Sequence, residues 1–138
     1  MNRILPRPNA LSQPYWDGCR EGELRLQQCA DCARFQFYPR IICSHCGGAD
    51  LHWQAASGRG VLASFTAVER GISAAYPAPY VVALVDLDEG PRMMSQIVDP
   101  APGRLRIGAA VEVAFENWSE DITLPVFRLP DHARGESP

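Results

Sequence analysis

The sequence predicts a mainly β chain: a short N-terminal helix, a ribbon held by a metal ion, then a small barrel of five strands. Three observations carry that expectation. Two Cys-x-x-Cys pairs, Cys29/Cys32 and Cys43/Cys46, stand ten residues apart. Five segments between residues 61 and 129 alternate or run apolar, with turn residues between them. The 12 prolines and 11 glycines of this 138-residue chain favour short strands over long helices.

The cysteines come first because everything else is arranged about them. A Cys-x-x-Cys turn aims two sulfurs and several backbone N–H groups at one point, so two such knuckles close a tetrahedron of thiolates. Zinc suits that cage, being borderline-soft, without redox chemistry, and content with four sulfurs at about 2.3 Å. Four sulfurs fill the coordination sphere, so the site reads as structural and offers no Lewis-acid chemistry. The same spacing also accepts iron, as in rubredoxin. Two disulfides or a redox pair are the competing uses of these residues. His45 lies inside the second knuckle and reads as an outward-facing residue, since four sulfurs suffice. Cys19, the fifth cysteine, reads as a buried small apolar residue more than as a nucleophile, with no histidine near it in sequence.

Composition narrows the classes. At 46% hydrophobic and 21% charged, the chain matches a globular protein of one domain, or two very small ones sharing a core. No apolar run approaches the roughly 18 residues that span a membrane, so no membrane partner is expected. The N-terminus lacks a signal-peptide core, and a reducing cytoplasm is the expected setting for metal thiolates. All 13 basic residues are arginine and the formal charge is −3. Residues 51–138 carry seven arginines against eleven acids, so the barrel half has no basic track for a phosphate backbone.

In chain order, residues 1–22 read as an N-terminal arm and a helix. Ser12 or Gln13 leads in, Pro14 occupies the first turn, Gly22 ends it, and Tyr15, Trp16 and Cys19 form its apolar face. Residues 23–56 read as the metal ribbon: ELRLQQ (23–28) pairs with RFQFY (34–38), Pro39 ends that strand, and Gly47-Gly48 supplies the exit from the second knuckle. Its own apolar core is limited to Leu24, Leu26, Phe35, Phe37 and Ile42, so metal binding must hold it. Residues 57–130 hold the five barrel strands, near 61–69, 80–88, 92–98, 109–118 and 124–129. Periodicity alone leaves a small sandwich open beside the barrel. Residues 131–138 read as a disordered tail. Asp86 and Asp88 share a facing at a strand end, where a solvated pair is a better reading than acid/base work. His52 and His132 show no partners in sequence.

The chain resembles a bacterial and archaeal family of zinc-ribbon/OB-fold accessory proteins associated with acyl-CoA enzymes. The likeness covers about residues 14–130. It rests on Cys29-Ala-Asp-Cys32, Phe37-Tyr38-Pro39-Arg40 and Cys43-Ser-His-Cys46-Gly47 in the ribbon. In the barrel it rests on SGRGVLASFTAVER, APYVVALVDLDEG, LRIGAAVEVAFE and LPVFRLP. The family usually has Gly where Ala33 stands, and Pro at the positions of Tyr38 and Ser44. The resemblance implies a rubredoxin-like zinc ribbon followed by an OB-fold barrel. It also implies a non-catalytic partner of a thiolase-fold enzyme (a thiolase, aldolase or acyltransferase) that helps shape an acyl-CoA site within a hetero-oligomer. On that reading Arg40, Arg70 and Tyr76 are candidate ligand contacts for an anionic CoA group. Tyr15 and Trp16 are candidate partner contacts. The competing class is a nucleic-acid-binding ribbon/OB module; the acidic, aliphatic barrel half argues against it, so nucleic acid is not an expected partner.

Overall fold

The computed structural model describes residues 5–71, 74–77, 79–99 and 105–130. The expected tail at 131–138 lies outside the described residues, as does His132. Helix α1 spans Gln13–Arg20. Its entry is fixed by Asn9 and Ser12, whose backbone N–H groups each donate to the other's side-chain oxygen, at 3.1 and 2.9 Å. Pro14 sits in the first turn, where its missing N–H costs nothing. Gly22, at φ +80, lets the chain turn away two residues after the helix.

The ribbon is a three-stranded antiparallel sheet with β1 (Arg25–Cys29) in the middle, between β2 (Phe35–Gln36) and β3 (Leu51–Ala55). Gln27 faces Gln36 on one side and Trp53 on the other. The pairing expected across residues 34–38 is cut to two residues. Beyond Gln36 the chain leaves the sheet, Phe37 packs its ring edge-on against Tyr15 at 5.7 Å, and side chains take over the hydrogen bonding.

Five strands follow: β4 (Arg59–Val68), β5 (Tyr80–Leu87), β6 (Arg92–Ile97), β7 (Ala110–Asn117) and β8 (Thr123–Arg128). They close into a barrel in the order β4-β5-β6-β8-β7, which removes the sandwich alternative. Closure rests on Arg59↔Glu112 to Val61↔Ala110 between β4 and β7, and on a parallel contact of β6 with β8 at Ile97↔Phe127. A register shift between Leu62 and Ser64 falls just where β4 stops pairing with β7 and continues with β5 alone. Such a bulge adds the local bend a small barrel needs.

One apolar cluster runs through the whole molecule. Tyr15, Cys19, Leu24 and Leu26 join Leu62, Val85, Ile97, Val111 and Phe127 in it. The ribbon therefore does not depend on a core of its own: its first strand inserts leucines into the barrel's core. Ile42 is a correction, since it is 51% exposed and adds nothing to that core. Cys19 is 1% exposed, and burial pushes its thiol up to about 12 against the opposing pull of Arg25. No helix among the described residues is long and apolar enough to cross a membrane.

Candidate metal centre

The two knuckles are copies of one turn. In the first, the Ala33 N–H donates to the Cys29 carbonyl at 2.8 Å and the Cys29 N–H to the Arg34 carbonyl at 3.0 Å. In the second, Gly47 donates to Cys43 at 2.9 Å and Cys43 to Gly48 at 2.7 Å. Each turn needs a left-handed residue directly after its second cysteine. Gly47 fills that place at φ +80, and Ala33 fills it at φ +67. Gly48 is crowded for a different reason: a Cβ there would stand 2.5 Å from Asp31 Oδ2, which would have to swing aside, and 3.3 Å from Cys46 Sγ.

The knuckles bring all four sulfurs within 4.8 Å of one another. Cys29 and Cys46 approach to 3.6 Å, and Cys32 and Cys43 to 3.7 Å. An ideal tetrahedron with metal–sulfur bonds of about 2.3 Å has edges of about 3.8 Å, so the donor set fits one tetrathiolate metal ion. No pair is disulfide-bonded. Backbone N–H groups also point at sulfur, from His45 to Cys43 Sγ at 3.3 Å and from Gly48 to Cys46 Sγ at 3.4 Å. Burial opposes ionisation of Cys43, but hydrogen bonds from the Cys46 and His45 backbones and from the Cys32 and Cys46 thiols outweigh it, bringing Cys43 down to about 6. The Gly48 N–H favours the Cys46 thiolate, yet the crowding sulfur of Cys29, burial, and the thiols of Cys32 and Cys43 carry it up to about 12. Four thiolates so close repel, which is the tension that a divalent cation relieves. His45 faces away, with Nε2 3.1 Å from the Phe35 carbonyl.

Beside the sulfurs lies a polar network that nothing in the sequence marked. Gln27 and Gln36 are both buried. The Gln27 amide donates to the Arg40 carbonyl at 3.1 Å, and its oxygen accepts from the Arg40 N–H at 2.9 Å and from Gln36 Nε2 at 2.7 Å. Gln36 Oε1 accepts from the Ser44 N–H at 2.8 Å. Two strand side chains thereby take the place of a third backbone ladder and clamp the segment between the knuckles.

The remaining predicted residues do not converge. Arg40 lines a groove of about 660 Å3 between the ribbon and the β5–β6 turn at Glu89–Arg92. Arg70 follows the far end of β4, where Val68 pairs with Tyr80 at the opposite end of β5. Tyr76 stands 6.2 Å from the Trp118 ring. Among the described residues, the groove that Arg40 lines includes neither Arg70 nor Tyr76, which separates Arg40 from the other two as contacts for one ligand. Tyr15 is a correction as a partner contact: it is 8% exposed, wedged between Trp16 and Phe37. Trp16 is half-buried against the same core. Asp86 is forked onto Arg92 at 2.6 and 3.2 Å, and Asp88 lies 3.8 Å from Arg59, so the two acids serve ion pairs. His52 does have a partner, Asp50 at 2.7 Å.

Comparison with known proteins matches this geometry. Residues 16–52 fit the family model described as the ChsH2 rubredoxin-like zinc ribbon domain, and residues 53–116 the ChsH2 C-terminal OB-fold domain. A DUF35 domain-containing scaffold protein of Methanothermobacter thermautotrophicus is 38% identical over 96 residues, covering 68% of this chain and 72% of the relative. The chain belongs to the ChsH2/DUF35 family. A solved structure described as the Ltp2-ChsH2(DUF35) aldolase contains a chain 33% identical, with a TM-score of 0.81, covering 90% of this chain and 98% of that one. This chain also resembles, at 34% identity over 91% of its length, a probable enoyl-CoA hydratase alpha subunit of Thermomonospora curvata. It is 30% identical over 81% of its length to the 3-oxo-4,17-pregnadiene-20-carboxyl-CoA hydratase alpha subunit of Mycobacterium tuberculosis. It spans only 40% and 39% of those two relatives.

Proposed function

We propose that this chain is a zinc-holding, non-catalytic accessory subunit that binds a thiolase-fold enzyme and helps assemble or shape its acyl-CoA site. The observation that supports it best is the likeness to the ChsH2(DUF35) chain of the Ltp2 aldolase, which this chain spans almost end to end. Scaffold protein and alpha subunit are both names for parts of assemblies, which supports the partner-binding half of the reading; the non-catalytic half rests on the scaffold name and the family resemblance. Chemistry agrees as well. A metal ion enclosed by four thiolates has no open position for water or substrate, so it holds the fold and polarises nothing. The thiolase-fold character of the partner follows from the family resemblance of the ribbon and barrel motifs. Zinc is the metal proposed, and the reducing cytoplasm is the compartment that keeps its ligands as thiolates.

Co-expression with a candidate thiolase-fold, acyl-CoA-processing enzyme, followed by size-exclusion chromatography, tests the reading. A hetero-oligomer is expected, with about one zinc per chain by elemental analysis. The subunit alone should not turn over acyl-CoA thioesters, and the partner should lose activity or solubility without it. A partner that elutes separately and works at full rate alone overturns the accessory role. A red protein with charge-transfer absorption overturns zinc in favour of iron.

A further inference from the structure

The segment between the knuckles holds three large apolar side chains in water. Tyr38 is 64% exposed, Ile41 77% and Ile42 51%. Looseness does not explain this. Both backbone groups of Arg40 are fixed by Gln27, and the N–H of Ser44 by Gln36. Tyr38 stacks edge-on against Phe37 at 5.1 Å, and Phe37 against Tyr15 in the core. Leaving three large apolar side chains exposed forgoes the stability their burial would give. A stiff apolar projection is useful where a partner covers it, because its ordering cost falls on folding and not on binding.

Charge says what kind of partner. The groove of about 660 Å3 beside the segment is lined by Arg34, Arg40 and Arg92. Arg92 is matched by Asp86. Among the described residues, no acid is ion-paired with Arg34 or Arg40, whereas Arg20 and Arg128 each have one and Arg25 has two. A chain of net charge −3 thus carries two arginines without an acid partner beside the apolar segment, in a groove that Tyr38 shares with them and with one acid, Glu89. We infer that residues 37–42 form a protein-docking knob whose occupant is a partner chain presenting an apolar pocket with carboxylates on its rim. A nucleic acid fits less well, because Ile41 and Ile42 offer no face for base stacking. This inference rests on the accessory-subunit reading and gives it an anchor other than α1.

The test uses the full, zinc-loaded chain and the thiolase-fold partner in titration calorimetry. Ile41→Ser/Ile42→Ser should weaken binding roughly 30-fold or more, as loss of a central anchor does. Arg34→Glu/Arg40→Glu should weaken it about tenfold and flatten its salt dependence. Ile107→Ser, at an isoleucine 63% exposed elsewhere, should bind as wild type. Zinc content and melting temperature check that each variant is folded, and the charge reversal stands in if the isoleucine pair misfolds. Wild-type affinity in both loop variants overturns the inference and leaves the accessory reading intact. A wild-type chain that binds no thiolase-fold partner overturns both. Self-association abolished by Ile41→Ser, or oligonucleotide binding abolished by Arg40→Glu, overturns the assigned occupant.

Discussion

Ala33 is a residue in a place made for glycine, and replacing it by glycine should stabilise the protein. The equivalent position of the second knuckle is Gly47, with the same two backbone hydrogen bonds and nearly the same φ. Holding an L-residue in the left-handed region costs roughly 1–2 kcal/mol. Glycine removes that cost but loosens the unfolded chain by about 0.4–1 kcal/mol. The strain term is larger, so Ala33→Gly should gain about 0.5–1 kcal/mol. For a chain of this size, that is a rise of about 2–4 °C in melting temperature. Calorimetric melting at fixed free zinc measures it. Ala30→Gly supplies the opposite sign, since Ala30 is exposed in the same turn without a positive φ and should lose about 0.5–1 kcal/mol. Because the strain lies inside the knuckle, zinc should also be held about two- to fivefold more tightly by Ala33→Gly in chelator competition. Equal melting temperatures for the two variants would refute the strain argument.

Gln27→Leu strands both backbone groups of Arg40 and the Gln36 amide, at about 2–4 kcal/mol in total, read from urea unfolding of the zinc-loaded chain. Amide exchange should then rise first at Arg40. Cys43→Ser should abolish stoichiometric zinc binding and unfold the ribbon, since half a site cannot offset its ordering cost; a chain that keeps its fold after complete chelation would negate the structural role. Cys19 should resist alkylation at pH 8 in the zinc-loaded chain, its thiol being pushed up to about 12 by burial, and should react only on unfolding. The Arg92 fork holds the Asp86 carboxyl below the usual carboxylate range. Its folded value therefore lies under its unfolded one. The contribution is full above the unfolded value and is lost as pH falls through the folded one. Arg92→Ala should thus be slightly less stable than wild type at pH 7, with the gap closing in acid denaturation below pH 4.

Most of the architecture was legible in the sequence because its signals are local. Cysteine spacing specifies the metal centre, and the alternation of segments such as AAVEVAFENW marks strands that are half-buried in the finished barrel. What escaped is non-local. Gln27 and Gln36 sit in alternating segments where a polar residue ordinarily faces water. Only the return of the chain past Arg40 converts them into a buried clamp. Tyr15 resembled an exposed anchor because a short helix shows no sign of what covers it, and the covering residue, Phe37, is more than 20 positions away. Ile42 resembled core for its hydrophobicity, yet the clamp holds that stretch outward. Arg40 and Arg70 looked groupable until strand pairing put them at opposite ends of β5.

The strand β1 decides where this protein can change length. Successive strand side chains point to opposite faces, so each residue's role is set by parity. Leu24 and Leu26 seat in the core shared with the barrel, while Gln27 and Cys29 serve the clamp and the thiolate cage. One residue inserted between Leu26 and Gln27 would put both sets on one face, so that with the leucines seated the Gln27 amide and the Cys29 sulfur would turn into the core. A few positions on, Ile41 and Ile42 face solvent between two fixed points, the Arg40 backbone and Cys43. Length and chemistry there are free to drift while the counted strand stays constant. The chain thus separates an invariant ruler from an editable tip, and relatives fitted to different partners are expected to differ at the tip.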